Sequence, residues 1–117
     1  MSNGELVIRQ ETTEKILSFR NERNWSQFHN PKDLAISVSL EAAELLECFQ
    51  WSGSDTEVTS KLEAMKEELS DIFIYSILLA DRLKINLDEV IQAKIAKNAE
   101  KYPVEKSFGK SSKYTEI

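Results

Sequence analysis

The sequence predicts an all-α, bundle-like domain of about four helices, and three observations carry that prediction. Three glycines and two prolines in 117 residues are too few for a turn-rich β fold. Apolar residues recur at helical spacing through most of the chain. Cap signatures divide that pattern into segments of helical length. A chain of this length forms one domain, residues 1–117, with its core over about residues 5–103 and a polar tail over 104–117.

The first helix is expected over about Glu5 to Glu22, with Leu6, Ile16, Leu17 and Phe19 as its apolar residues. Asn24 to Asn30 then interrupts the period with two aromatics and the chain's one histidine. A second helix begins with Asn30 as N-cap, Pro31 at its first position and Asp33 in its first turn, and runs to about Gln50. Gly53 and its serine neighbours form a turn. Ser54 and Glu57 have capping-box spacing, which predicts a third helix from there to about Lys84. Asn86 and Glu89 repeat the signature and open a fourth helix ending near Tyr102, before Pro103. The tail beyond is polar and is expected to be mobile unless a ligand orders it.

Along the third helix, Val58, Leu62, Met65, Leu69 and Ile72 make a single stripe. From Ile72 onward, Ile74, Ile77, Leu78 and Leu79 carry apolar surface round the whole circumference. Such a helix must be covered on every side, so a homo-oligomer with this helix near its interface is expected.

Charge narrows the partners. A net charge of -5 argues against a nucleic-acid duplex or an anionic membrane. It leaves room for a small anionic substrate, because a bound divalent cation reverses the local field. Cys48 is alone, which rules out an intrachain disulfide and makes a reducing, cytoplasmic setting the simplest expectation. Met1 to Gln10 lacks the apolar centre of a signal peptide. The longest apolar stretch, Ile72 to Ala80, is far too short to span a bilayer.

The chemistry is concentrated in two i,i+3 acid pairs, Glu41-x-x-Glu44 and Glu68-x-x-Asp71. Residues three apart project from nearly one face of a helix, so each pair is a two-pronged oxygen clamp. Leu34, Val38, Glu41 and Leu45 share one arc at about 100° per residue, which gives Glu41 a core position. Asp71 is flanked by Ile74 and Leu78 on its side of the third helix. Acidic pairs on helices are often only a solvated face. Two pairs set in apolar surroundings on successive helices favour a metal site instead. All-carboxylate ligation selects Mg²⁺, with Mn²⁺ as the alternative. A ferritin-like di-iron bundle requires Glu-x-x-His twice, which one histidine outside the helices cannot supply.

Complementary charge lies on the fourth helix, where Lys94 and Asn98 interrupt an arc of Leu87, Val90 and Ile91. They suit a polyphosphate; the alternative is a snorkelling lysine and a backbone-paired amide. Trp25, Phe28, His29, Trp51 and Tyr102 sit at helix ends, either as core caps or as platforms for a base.

These residues resemble a known family. The spaced acid pairs are similar to those of the all-α nucleoside triphosphate pyrophosphohydrolases of the MazG type. Flanking segments resemble the dCTP pyrophosphatase branch: Arg23-Asn-Trp-Ser-Gln-Phe-His29, Glu44-Leu-Leu-Glu-Cys-Phe-Gln-Trp51, Glu67-Glu-Leu-Ser-Asp71, Lys94-x-x-x-Asn98 with Lys101-Tyr-Pro103, and Lys113-Tyr-Thr115. The resemblance covers roughly residues 20 to 115. It implies Mg²⁺-dependent hydrolysis of a nucleoside triphosphate between the α and β phosphates. It also implies a homotetramer, a dimer of dimers whose sites draw on neighbouring subunits. By position, Glu41, Glu44, Glu68 and Asp71 would hold the metal. Lys94 and Asn98 would contact phosphates or sugar, and Trp25, His29, Trp51 and Tyr102 would form the base pocket. Leu40 and Ala43 stand where the family pattern has glycines, a departure that touches packing and no ligand.

With no histidine in the acidic cluster, a carboxylate must activate water. Glu44 is the first candidate for that role and Glu47, one turn on, the second. A dCTP-like substrate is expected, in a housecleaning role. The alternatives are the same chemistry on dATP, dUTP or a modified nucleotide, and a non-catalytic helical oligomerisation module.

Overall fold

Two compact units divide the chain between Lys84 and Ile85 in the structure, a computed structural model that describes residues 8–116. All described secondary structure is helical. In the first unit, α1 spans Gln10–Glu22, α2 Pro31–Glu47 and α3 Leu62–Leu83. A 3₁₀ turn at Trp25–Phe28 joins α1 to α2, and another at Thr59–Lys61 leads into α3.

The α2 start follows the sequence closely. Asn30 caps it, its side chain accepting the Asp33 N–H at 2.8 Å, and Pro31 supplies the preset first turn. α2 and α3 pack along one another as a helical hairpin, and α1 packs on α3. The buried apolar residues are Leu34, Cys48, Val58, Ile77, Leu78 and Ala80, with Leu34 only 1% exposed. Each is in or beside this hairpin.

Three boundaries differ from the sequence reading. α1 begins at Gln10, with Ile8 and Arg9 non-helical; Glu5, Leu6 and Val7 lie outside the described residues. α2 stops at Glu47, and residues 48–51 form a turn that leaves Trp51 with φ +67°. The third helix does not begin after Ser54. Asp55 takes over the local capping: its carboxylate accepts the N–H groups of both Val58 and Glu57 at 3.1 Å. Those two bonds hold its pKa below the usual carboxylate range. Val58 then adopts φ +43°, a conformation a β-branched residue rarely takes and one that no α-helix contains. Burial of Val58 in the core offsets that strain.

The apolar circumference of α3 is only partly covered within the chain. Ile77 and Leu78 are buried, while Leu62, Leu69 and Phe73 form an exposed stripe.

The second unit contains α4, Leu87–Lys101, and a short α5, Val104–Ser107. Asn86 caps α4 by accepting the Glu89 N–H at 3.2 Å, as its spacing predicts. Beyond Pro103 the tail takes on structure of its own. After α5, a 3₁₀ turn at Tyr114–Glu116 sets Tyr114 edge-on to Tyr102 at 6.0 Å, with the Lys101 ammonium 4.9 Å from its ring.

Candidate active site

The α2–α3 hairpin brings Glu41, Glu44 and Glu68 together, one carboxylate oxygen of each lying within 4.8 Å of the others. Helical periodicity places the first two on one face of α2, and packing of α3 delivers the third. Glu41 and Glu68 are half-buried and Glu44 is exposed. The Oε2 atoms of Glu41 and Glu68 are buried with no hydrogen-bond partner among the described residues. Such an orphaned carboxylate oxygen is costly unless a cation or proton meets it.

Crowding of the three acids favours their protonated forms. The Glu68 carboxyl is pushed up to about 7, chiefly by a hydrogen shared with Glu44, then by desolvation and the neighbouring negative charge. Glu41 is also raised, first by desolvation and then by its hydrogen bond with Glu44 and the charges of Glu44 and Asp71. Among the described residues, three acids converge without a basic partner, leaving two oxygens unsatisfied. A hard divalent cation fits this donor set, because it would replace the shared proton and supply the missing partners.

Asp71 stands outside that three-carboxylate group, though its charge reaches Glu41. It lines a cavity of about 340 Å³ together with Trp25, His29, Phe19, Tyr75 and Leu78. Asp71, Tyr75 and Leu78 follow one face of α3 at i, i+4 and i+7, and Ile16 and Phe19 face them from α1. Asn24, in a left-handed conformation at φ +53°, opens the turn that carries Trp25. Trp25 meets Phe19 edge-on at 5.7 Å. The Nδ1 atom of His29 is buried and unpartnered among the described residues. Desolvation, aided by the Arg20 charge, lowers the His29 pKa and keeps the imidazole neutral near pH 7.

Trp51 is not among the residues lining this cavity; it projects from the turn after α2 at 93% exposure. Glu47 is exposed and lies outside the carboxylate group. In the second unit, Lys94 and Asn98 are exposed one turn apart on α4, and Tyr102 closes that helix. The sequence reading overlooked Arg20, which also lines the cavity and pairs with Asp81 at 2.7 Å across 61 positions. No local pattern announces such a pair. Among the described residues, no helix is long and apolar enough to cross a membrane.

Comparison with known proteins identifies the family. The MazG-like family matches residues 36–117. Among curated relatives, dCTP pyrophosphatase 1 of Mus musculus is 40% identical over 105 residues, covering 85% of this chain and 61% of that protein. The Homo sapiens protein of the same name is 36% identical over 104 residues, with 85% and 61% covered. The chain thus spans about three-fifths of the length of these relatives. A crystal structure of a pyrophosphatase from Archaeoglobus fulgidus superposes with a TM-score of 0.76 at 41% identity, covering 80% of this chain and 91% of that one. With a helical hairpin of this form and a family match over most of its length, the chain belongs to the MazG-like family.

Proposed function

We propose that this protein hydrolyses nucleoside triphosphates to the monophosphate and pyrophosphate, with a preference for dCTP-like substrates, and thereby clears the nucleotide pool. The observation that carries the proposal is the carboxylate group of Glu41, Glu44 and Glu68, with two orphaned oxygens, in a chain whose Asp71 also borders an apolar, aromatic cavity. The names of the curated relatives support the choice of cytosine.

Glu41, Glu44, Glu68 and Asp71 would hold Mg²⁺, with Mn²⁺ as a substitute. When bound, the metal supplies charge neutralisation of the triphosphate and of the pyrophosphate leaving group. Glu44, the exposed member of the group, orients a water and accepts its proton as the oxygen attacks the α phosphorus. The bond from that phosphorus to the α,β-bridging oxygen breaks, and pyrophosphate departs. Glu47 is the second candidate for the base. Trp25 and His29 receive the base in the cavity, and Trp51 is a separate candidate for substrate contact; on the second unit, Lys94 and Asn98 are the candidates for phosphate or sugar and Tyr102 for the base. The exposed apolar stripe of Leu62, Leu69 and Phe73 supports a homo-oligomer, which we propose to be a tetramer.

The test is Glu44→Gln. Turnover of dCTP should fall while Mg²⁺-dependent nucleotide binding, read as a rise in melting temperature, persists. Unchanged turnover would remove Glu44 from the mechanism. A solvated acidic face on an oligomerisation module is the competing reading, and it predicts no thermal shift with any triphosphate.

A further inference from the structure

We infer that Arg20, held by Asp81, is the residue that makes the cavity select cytosine over uracil; this rests on the proposal that the cavity receives the base. Arg20 sits on α1 with its side chain only 13% exposed and forms part of the cavity wall. Its Nη1 donates to Asp81 Oδ2 at 2.7 Å, and its Nε donates to Asn21 Oδ1 at 2.9 Å. Asp81 is not itself a lining residue; it braces the guanidinium from α3. A guanidinium carries five N–H groups, so this anchoring leaves donors to spare in a fixed plane.

Donor and acceptor chemistry decides the selectivity. A base withdrawn from a helix is read by stacking and by hydrogen bonds to its pairing edge. Cytosine presents two adjacent acceptors there, O2 and N3, and one donor, its amino group. Uracil carries an N–H at position 3, placing a donor between two acceptors. Among the other polar lining groups, the Thr12 and Tyr75 hydroxyls can donate or accept, neutral His29 can exchange tautomers to do either, and Asp71, which only accepts, is assigned to the metal. Lys15 also lines the cavity but is exposed and flexible. Arg20 is different, because it cannot accept a hydrogen bond under any condition. Facing it, O2 and N3 of cytosine are satisfied, whereas the N3–H of uracil is left without a partner.

The experiment compares kcat/KM for dCTP and dUTP in the wild-type protein and in Arg20→Gln/Asp81→Asn, which keeps a hydrogen-bonded neutral pair in place of the ions. Wild type should favour dCTP. The double variant should lose on the order of ten- to a hundredfold of that ratio, through KM, with kcat for dCTP little changed. Arg20→Lys preserves the charge and should give an intermediate ratio; it also serves if the double variant fails to melt cooperatively. A folded variant with the wild-type ratio would overturn the inference and leave the hydrolase proposal standing. So would a wild-type protein that hydrolyses both nucleotides equally well. A wild-type protein that hydrolyses neither would remove the underlying proposal and this inference with it.

Discussion

The acidic hairpin and the aromatic cavity share helix α3 but are built by opposite rules. Glu41, Glu44 and Glu68 form a group because two helices each repeat their acids at i,i+3 and then pack face to face. The cavity draws scattered residues from α1, the segment around the Trp25–Phe28 turn and α3, and takes only Asp71 from the acid pairs. One region concentrates charge with too few partners, and the other sets a few polar atoms among apolar and aromatic side chains. In the proposed division of labour, the first performs chemistry on any triphosphate and the second chooses which one.

That contrast yields tests in descending order of effect. Glu44→Gln should lower kcat by about 10²- to 10⁴-fold, the range for loss of a general base, with little change in base preference. Equal losses of turnover and binding would mean that Glu44 serves only to hold the substrate. Leu34→Ala, which opens the fully buried centre beside the hairpin, should cost about 2–5 kcal/mol in chemical denaturation. Trp25→Ala should raise KM about tenfold by removing a stacking face, with Mg²⁺ dependence intact. A fall in kcat alone would place Trp25 with the chemistry rather than with the base.

A smaller effect separates the two regions by pH. Glu68 titrates near 7 in the folded protein against an ordinary 4.5, so the folded state holds its proton more tightly than the unfolded chain. Below about 4.5 both states are protonated and the group is neutral in its effect. As pH rises from there through 7, stability without metal should fall. The metal-free melting temperature should therefore be lower at pH 8 than at pH 5.5, and Mg²⁺ should raise it more at pH 8. A metal-free protein that gains stability over that interval would contradict the crowding of the three acids. Trp51→Ala should be the mildest change in folding terms, within about 0.5 kcal/mol, because its side chain is almost wholly exposed.

The two regions also differ in how much of each can be read along the chain. Helix periodicity places Glu41 beside Leu34 and Val38 and gives Asn30 and Asn86 their capping roles, so α2, α4 and the acidic face are legible locally. The start of α3 is not. Ser54 and Glu57 have the right spacing for a cap, but Asp55 competes for the same backbone N–H groups and, with Val58 in a left-handed conformation, delays the helix to Leu62. The Arg20–Asp81 pair lies beyond any local pattern, since only the packing of α1 on α3 brings it together. Trp25 and His29 are recognisable as aromatic and polar residues at a helix end, yet their convergence with Asp71 depends on that same packing.

The most direct test is release of pyrophosphate and nucleoside monophosphate from a panel of canonical and modified dNTPs and NTPs, measured with Mg²⁺ and with chelator. The account predicts chelator-sensitive release of both products in equal amounts, fastest with dCTP. Release that persists under chelation, or no release from any triphosphate, would contradict the assignment of the Glu41–Glu44–Glu68 group to metal-dependent hydrolysis.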